Sequence, residues 1–367
     1  MTDNPGPPKK ILIVNNNLDA GGVQRALINL LYEIKDAYEI TLFLFSCSGA
    51  YRDRLPEGIN VIEASPLLNL LGLSQKQAGT KGRMLYLIRG VLALYAKLIN
   101  NRLPIRFLAA TQSRLAGFDA AISFMHYSDQ KLLYGGCNEF VQYRVDARQK
   151  ITFLHCDFSQ YGWNTPRIRK AYETFDKIAA VSEGSRESFL KVIPKLAAKT
   201  YCVYNCHNYG EYQALANDHP VEYPGEGFNI ITVARLGPEK GILRGIEVIT
   251  RLKDEGYDLK WYIVGDGVLK KTVEEKIAAN GAASYIFLCG IQNNPYRYMK
   301  NADVFLLPSF HEAAPMVYNE AKCLGIPLIT TNTTSAAEMV REGQEGFVCE
   351  NSEIGLYEAL KQTLDHP

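Results

Sequence analysis

Strand-like and helix-like segments alternate through this chain twice over, with one interruption, and that rhythm limits the possible folds more than any other feature. "KILIVNN" (10–16) has the character of a buried strand, and "GVQRALINLLYEI" (22–34) sets apolar residues at helical spacing. "EITLFLFS" (39–46), "FDAAISF", "KITFL", "KIAAVS" and "TYCVYN" carry the pattern to Asn205. From about Cys206 to Gly227 it lapses into "HNYGEYQALANDHPVEYPGEG", which reads as a linker. It then restarts with "NIITVAR", a helix near 239–255, "LKWYIVG", a helix near 268–280, "YIFLCG", "ADVFLLPS", a helix near 316–324 and "PLITT". Repeated β–α units predict parallel sheets, and the break predicts two doubly wound domains, 1–207 and 208–367. Such sheets bind ligands beyond the carboxyl ends of their strands, so the expected site is a cleft that both domains face.

A chain of 367 residues is long enough for two such domains. Its 40 Lys and Arg against 39 Asp and Glu leave no basic excess of the kind that nucleic acid selects. The opening "TDNPGPPKK" lacks an apolar signal core, and no uncharged apolar run reaches the roughly 18–20 residues of a spanning helix. The expected location is therefore the cytoplasm, where the eight cysteines are thiols. "YCVYNCHN" groups Cys202, Cys206 and His207, but no second ligand pair at zinc-like spacing lies near, so no metal is expected.

One segment departs from the neutral balance. From Ala64 to Phe118 there is no Asp or Glu, yet Lys76, Lys81, Arg83, Arg89, Lys97, Arg102, Arg106 and Arg114 fall there. Within it, "RMLYLIRGVLALYAKLI" puts Met84, Ile88, Val91, Tyr95 and Leu98 on one helical face. Two readings stand: a core-facing helix with a basic solvent side, or a basic apolar surface for anionic lipid or a lipid-diphosphate acceptor.

The residues suited to chemistry follow predicted strands. Gly21 and Gly22 sit where a loop becomes a helix, so amides and the positive helix end can face a phosphate, with Arg25 one turn further in. Taken alone, they are better read as a plain turn. Arg235 and Lys240 flank a Gly-Pro turn at a helix entry, a clamp for a diphosphate or simply two solvated charges. Asp266 between glycines in "VGDGVL" reads as punctuation. In "PSFHEAAPMVYNEAKCLGIPLITTNT", Glu312 lies in the loop after a strand, and Pro315 suits a first helical turn. The amides of Ala314, Met316 and Val317 can then address an anion or hydroxyl, and Glu320 follows on the helix. A nucleotide sugar needs such parts: a carboxylate for sugar hydroxyls, amides for the diphosphate, and a second carboxylate for the ribose.

Taken together, "ADVFLLPSFHEAAPMVYNEAKCLGIPLITT", "VARLGPEKG", "YIVGDG", "VYN" near Asn205 and "AGG-x-x-R" resemble, in order, the motifs of the family-4 retaining glycosyltransferases of the bacterial surface-polysaccharide type, with their Glu-x7-Glu pair. The resemblance runs from about residue 10 to 350. It implies the GT-B fold, two Rossmann-like domains facing a cleft, with acceptor bound by the first and donor by the second. By position it implies that Arg235 and Lys240 bind the diphosphate and stabilise the leaving group, that Glu312 contacts the sugar and Glu320 the ribose, and that Gly21 and Gly22 approach the phosphates. It makes His155, in "FLHCDF", the histidine beside the donor sugar, and Glu338 a further acidic position. Ala313 stands where the family often has glycine, and the closing "YEALKQTLDHP" suggests a short terminal helix.

The expected activity is a retaining, metal-independent transfer from a nucleotide sugar to a glycan or lipid-linked acceptor, with no cofactor. No Asp-x-Asp occurs anywhere in the sequence. Absence of an export signal and the basic segment 64–118 together suggest peripheral contact with the inner membrane face. Two other classes compete. A nicotinamide oxidoreductase would need Gly-x-Gly-x-x-Gly with an acid about 20 residues on, which neither half offers. A catalytically silent binding partner would lack donor hydrolysis.

Overall fold

The computed structural model describes residues 8–127, 131–160, 164–341 and 343–366. Most of the opening segment, on which the signal-peptide reading rests, lies outside them. The chain divides into two compact units, Met1–Cys206 and His207–Pro367.

In the first unit, strands β1 (Lys10–Asn15), β2 (Glu39–Leu44), β3 (Asn60–Glu63), β4 (Leu115–Ser123), β5 (Val145–Leu154), β6 (Lys177–Ala180) and β7 (Thr200–Cys202) form one sheet, ordered β3-β2-β1-β4-β5-β6-β7. In the second, β8 (Phe228–Val233), β9 (Leu259–Val264), β10 (Ile286–Gly290), β11 (Val304–Leu307), β12 (Leu328–Thr331) and β13 (Gly346–Cys349) are ordered β10-β9-β8-β11-β12-β13. Every pairing is parallel. The chain reverses its direction of travel across each sheet, between β1 and β4 in one and between β8 and β11 in the other. Those are the points where doubly wound sheets open a crevice.

The strands read as unbroken apolar runs because both faces are covered. In the second sheet Ile230, Trp261, Ile263, Leu306 and Ile329 pack with one set of helices, while Ile231, Tyr262, Val264, Phe305 and Leu307 pack on the other side. Trp261 donates its indole N–H to Thr232 Oγ1 at 2.9 Å, and Thr232 donates on to the Leu306 carbonyl, so the largest buried ring leaves no polar atom unmet.

The helices that bear on function are α1 (Gly22–Ile34), α2 (Arg83–Leu98), α3 (Arg102–Ala110), α4 (Cys137–Arg144), α5 (Ile242–Asp254) and α6 (Met316–Cys323). Two readings of the sequence need correction. The presumed linker holds a helix, Tyr209–Asn217, because Tyr212 and Ala216 bury themselves against the second sheet. On α2 the inward stripe is Leu85, Ile88, Leu92, Ala93 and Ala96, whereas Met84, Val91 and Leu98, expected on one face with Ile88 and Tyr95, are solvent-exposed. The packed stripe is rotated from the expected one because Arg89, in the middle of the helix, turns inward. It donates to the Leu70 and Leu133 carbonyls and to Gln75 Oε1.

Phe140 on α4 is the centre of the first core, stacked on Phe43 at 4.8 Å and meeting Phe45 edge-on at 5.8 Å. Phe140→Ala leaves a ring-sized cavity there and should destabilise the first unit by about 3–5 kcal/mol. Urea unfolding followed by a probe in each unit should show the first transition shifted to lower denaturant and the second in place.

Candidate functional site

The strongest constellation lies in the second unit, at the carboxyl ends of β8 and β11, the neighbours at its switch point. β8 runs out into Arg235, Leu236 and a single 3-10 turn, Pro238–Lys240. β11 runs out into Pro308–Glu312. The two loops are stitched together: the Phe310 N–H donates to the Glu239 carbonyl at 2.8 Å, and Lys240 Nζ reaches Glu312 Oε1 at 2.6 Å. Ser309 Oγ donates to the same carboxylate oxygen at 2.6 Å. Glu312 is 8% exposed, so its charge is stabilised by these two donors rather than by water. Arg235 stands on the open side, its guanidinium 2.7 Å from Glu239 Oε1, in an exposed pair of small energetic weight.

Behind this pair is a residue that sequence reasoning passed over. Arg244 on α5 is buried and donates to the Pro308 carbonyl (2.9 Å), the Ser309 carbonyl (2.7 Å) and Asn351 Oδ1 (2.7 Å). Its guanidinium lies 3.9 Å from the centre of the Phe310 ring. Asn351 Nδ2 returns a bond to the Phe310 carbonyl at 3.0 Å. In this way one cation fixes the backbone that carries Ser309 and Glu312. Gly241 makes the approach possible: it adopts φ +63°, and a Cβ there would stand 1.8 Å from the Pro308 carbonyl oxygen. The "VGDG" loop also proves more than punctuation, since any Cβ on Gly267 would meet the Leu236 backbone at 2.5 Å.

Downstream, α6 begins at Met316, with Pro315 as its N-cap (φ −67°, ψ 123°) rather than within the first turn as expected. Extended ψ at Pro315 lets the chain enter the helix directly after Ala313 and Ala314. The first-turn amides of Met316 and Val317 have no acceptor within the helix, which leaves them for a ligand. Glu320, also on α6, is 5% exposed. Its neighbour Asn319 meets His207 Nε2 at 2.9 Å, and the same ring faces Tyr212 at 3.3 Å, so His207 serves to hold α6. Glu338 sits on the one-turn helix Ala336–Met339.

In the first unit, Gly21 is the N-cap of α1 and Gly22 its first residue, so both sit where the β1 loop becomes the helix. Arg25, one turn further in, is buried, its guanidinium 5.6 Å from the Tyr51 ring centre. Three buried asparagines shape the loop: Asn16 Nδ2 donates to the Gly135 carbonyl (3.1 Å) and Asn17 Nδ2 to the Gly72 carbonyl (2.8 Å), while Asn15 Nδ2 donates to the Asn17 carbonyl.

His155 follows β5 directly, its ring against Phe124 (4.8 Å) and Phe153 (5.6 Å). The residue is half-buried, and Nε2 is enclosed without a protein partner. Burial, and secondarily a second histidine, His126, lower its pKa to about 3. His126 comes three residues after β4 and is itself lowered to about 4 by burial. Sequence reasoning missed this pairing, because nothing in "FMHYS" marks His126 until β4 and β5 are known to be adjacent.

Residues 217–367 match the sequence model of a family described as glycosyl transferases group 1. A capsular polysaccharide biosynthesis glycosyltransferase, CapM, of Staphylococcus aureus is 27% identical over 174 residues, 42% of this chain and 42% of its own length. The chain spans less than half the length of that relative. A Campylobacter jejuni enzyme, N-acetylgalactosamine-N,N'-diacetylbacillosaminyl-diphospho-undecaprenol 4-alpha-N-acetylgalactosaminyltransferase, is 25% identical over 370 residues, covering 97% of this chain and 90% of its own. The crystal structure of Anabaena Alr3699/HepE in complex with UDP and glucose superposes with a TM-score of 0.66 at 18% identity, covering 98% of this chain and 90% of that one. The two parallel-sheet Rossmann-like units are those of the GT-B fold.

Two expected outcomes follow from this geometry. Arg244→Met removes three hydrogen bonds, takes from the Pro308 carbonyl its Arg244 donor and leaves Thr331 as the donor to the Ser309 carbonyl, so the second unit should lose roughly 3 kcal/mol in denaturant unfolding. Arg244→Lys, which keeps the charge but not the fork, should recover only part of it. The histidines set an acid limit for the first unit. Both are neutral when folded and bind protons on unfolding, so stability falls as pH drops from about 6.5 toward 3–4. His126→Asn with His155→Asn should flatten that slope between pH 6.5 and 4, whatever it does to stability at pH 7.

Proposed function

We propose that this chain, whose residues 217–367 match the group 1 glycosyl transferases, transfers a sugar from a nucleoside-diphosphate donor to a glycan or lipid-diphosphate-linked acceptor in the building of a surface polysaccharide. The observation that carries the reading is the Lys240–Glu312 contact at the switch point of the second sheet. A cation and a carboxylate side by side there suit the two ends of a sugar diphosphate. The polysaccharide reading is supported by the name of CapM, and the lipid-diphosphate-linked acceptor by the diphospho-undecaprenol in that of the Campylobacter enzyme.

In the proposed reaction the second unit holds the donor. Lys240 and Arg235 exchange their present carboxylate partners for phosphate oxygens, and the amides of Ala314, Met316 and Val317 add to the same anion. Glu312, released from Lys240, accepts hydrogen bonds from sugar hydroxyls, and Glu320 does so from the ribose. The anomeric C–O bond to phosphate breaks as the nucleoside diphosphate leaves onto the two cations. The acceptor hydroxyl forms the new glycosidic bond from the same face, its proton passes to the departing phosphate oxygen, and configuration is retained. Lys240 and Arg235 take the place of a divalent metal in stabilising the leaving group. His155, kept neutral by its enclosure, offers an uncharged ring nitrogen to the transferred sugar rather than a competing cation. Gly21 and Gly22 offer the amide end of α1 to the phosphates, and the first unit holds the acceptor.

Thermal unfolding with UDP-, GDP-, ADP- and TDP-sugars, without added metal, tests the donor assignment. A donor at 100 times its Kd stabilises the folded chain by about 2.7 kcal/mol, and Glu320→Ala should remove the response. With that donor, Lys240→Ala should lower kcat about 10²–10³-fold with little change in acceptor KM, and EDTA should leave wild-type turnover unchanged. A chain that no nucleotide stabilises, with no slow donor hydrolysis, is instead a silent binding partner.

A further inference from the structure

The outer surface of α2 and α3 is apolar where a folded chain has no use for it. On α2, Met84, Leu87, Val91, Leu94 and Leu98 recur at spacings of three and four, and Met84, Val91 and Leu98 are each about 70% exposed (71%, 68% and 69%). They form a second stripe beside the one that packs into the core, which is already complete with Leu85, Ile88, Leu92, Ala93 and Ala96. A surface helix normally carries one apolar stripe; a helix with two calls for a second apolar neighbour. The patch continues through Ile99 onto α3, where Leu103 and Phe107 are exposed while Pro104, Ile105, Leu108 and Ala109 face inward.

Its charges all have one sign. Helical geometry puts Arg83 and Lys97 at the margin of the outer stripe of α2, and Arg102 and Arg106 beside Leu103 and Phe107 on α3. None of these four is in an ion pair among the described residues; Arg106 lies 5.1 Å from the centre of the Tyr143 ring. Two further cations of this region have structural work, Arg89 on the carbonyls named above and Lys81 beside Glu63 at 3.8 Å. No carboxylate occurs from Ala64 to Phe118.

We propose that this surface docks the chain on an anionic lipid bilayer, with α2 lying in the plane of the interface, its outer stripe among the upper acyl chains and its arginines and lysine at head-group phosphates. The combination selects that occupant. A second copy meeting the same face would set four cations against four of like sign. Long apolar side chains interleaved with arginines, by contrast, are the composition that partitions into a bilayer interface. No described helix is long and apolar enough to cross a membrane, which leaves interfacial seating as the mode for α2. The proposal goes beyond the donor chemistry and is independent of it.

Vesicle co-sedimentation tests it without reference to turnover. The full chain should pellet with phosphatidylglycerol/phosphatidylcholine vesicles, pellet far less with phosphatidylcholine alone, and lose binding as salt is raised. Val91→Glu with Leu94→Glu, both outside the core, should cut partition at least tenfold while urea midpoint and circular dichroism stay unchanged. Leu94→Trp should show blue-shifted fluorescence with the anionic vesicles only. The proposal is overturned if the wild type stays in the supernatant, if the double variant pellets as well as wild type, or if light scattering shows a wild-type dimer that the double variant converts to monomer.

Discussion

The carbonyls of Pro308 and Ser309 are held by one buried guanidinium, and the candidate donor site depends on that hold. Arg244 fixes two successive peptide units by a rigid fork. From them hang Ser309 Oγ, Glu312 and the start of the descent into α6. A loop at a strand end ordinarily gains its freedom from solvent contact. Here it is bonded from below by Arg244, from the side by Thr331, whose hydroxyl donates to the Ser309 carbonyl, and from the neighbouring loop by Lys240. The Lys240–Glu312 pair is therefore presented on a rigid floor, as a site must be if a partner exchange between carboxylate and phosphate is to occur without disordering the loop.

The two units solve the same topological problem with different polar chemistry. The second arrays charges at its switch point. Its counterpart in the first unit is lined by asparagines and by two histidines that burial keeps neutral. Asn15 Oδ1 and His155 Nε2 are enclosed with no protein partner, an arrangement that costs free energy unless something else completes it. Neutral donors and acceptors of that kind fit hydroxyl-bearing ligands, whereas paired cations fit phosphates. The contrast accords with the proposal that charges of the second unit meet the donor diphosphate while neutral groups of the first meet hydroxyls.

How much of this was legible in the sequence depended on whether a residue's role is local. Strands buried on both faces announce themselves as apolar runs, so β1, β2, β8, β9 and β11 were readable. β3 and β13 lie at sheet edges, are short and only partly buried, and carry no such signal. Lys240 and Glu312 stood out as candidates because each sits at a strand-to-helix turn, and the structure brings the two together. Arg244 was not, since a charge inside "ILRGIEVI" reads as a solvated helix residue; only the packing of α5 under the β11 loop turns it inward. His126 needed the adjacency of β4 and β5. Arg25 had no role legible in the sequence, and the fold buries it beside Tyr51.

Helix α2 shows why composition and periodicity have to be read together. Its sequence pattern is apolar over so wide an arc that periodicity alone could not say which stripe faces the core. Arg89 decides the rotation. A guanidinium that can reach the Leu70 and Leu133 carbonyls gains bonds by turning inward, and that sets Leu85, Ile88, Leu92 and Ala96 toward the core. The same rotation obliges Met84, Val91 and Leu98 to face outward. The exposed apolar surface is thus a direct consequence of how the core is satisfied, and its lack of acidic residues is the independent feature that gives it a partner of definite charge.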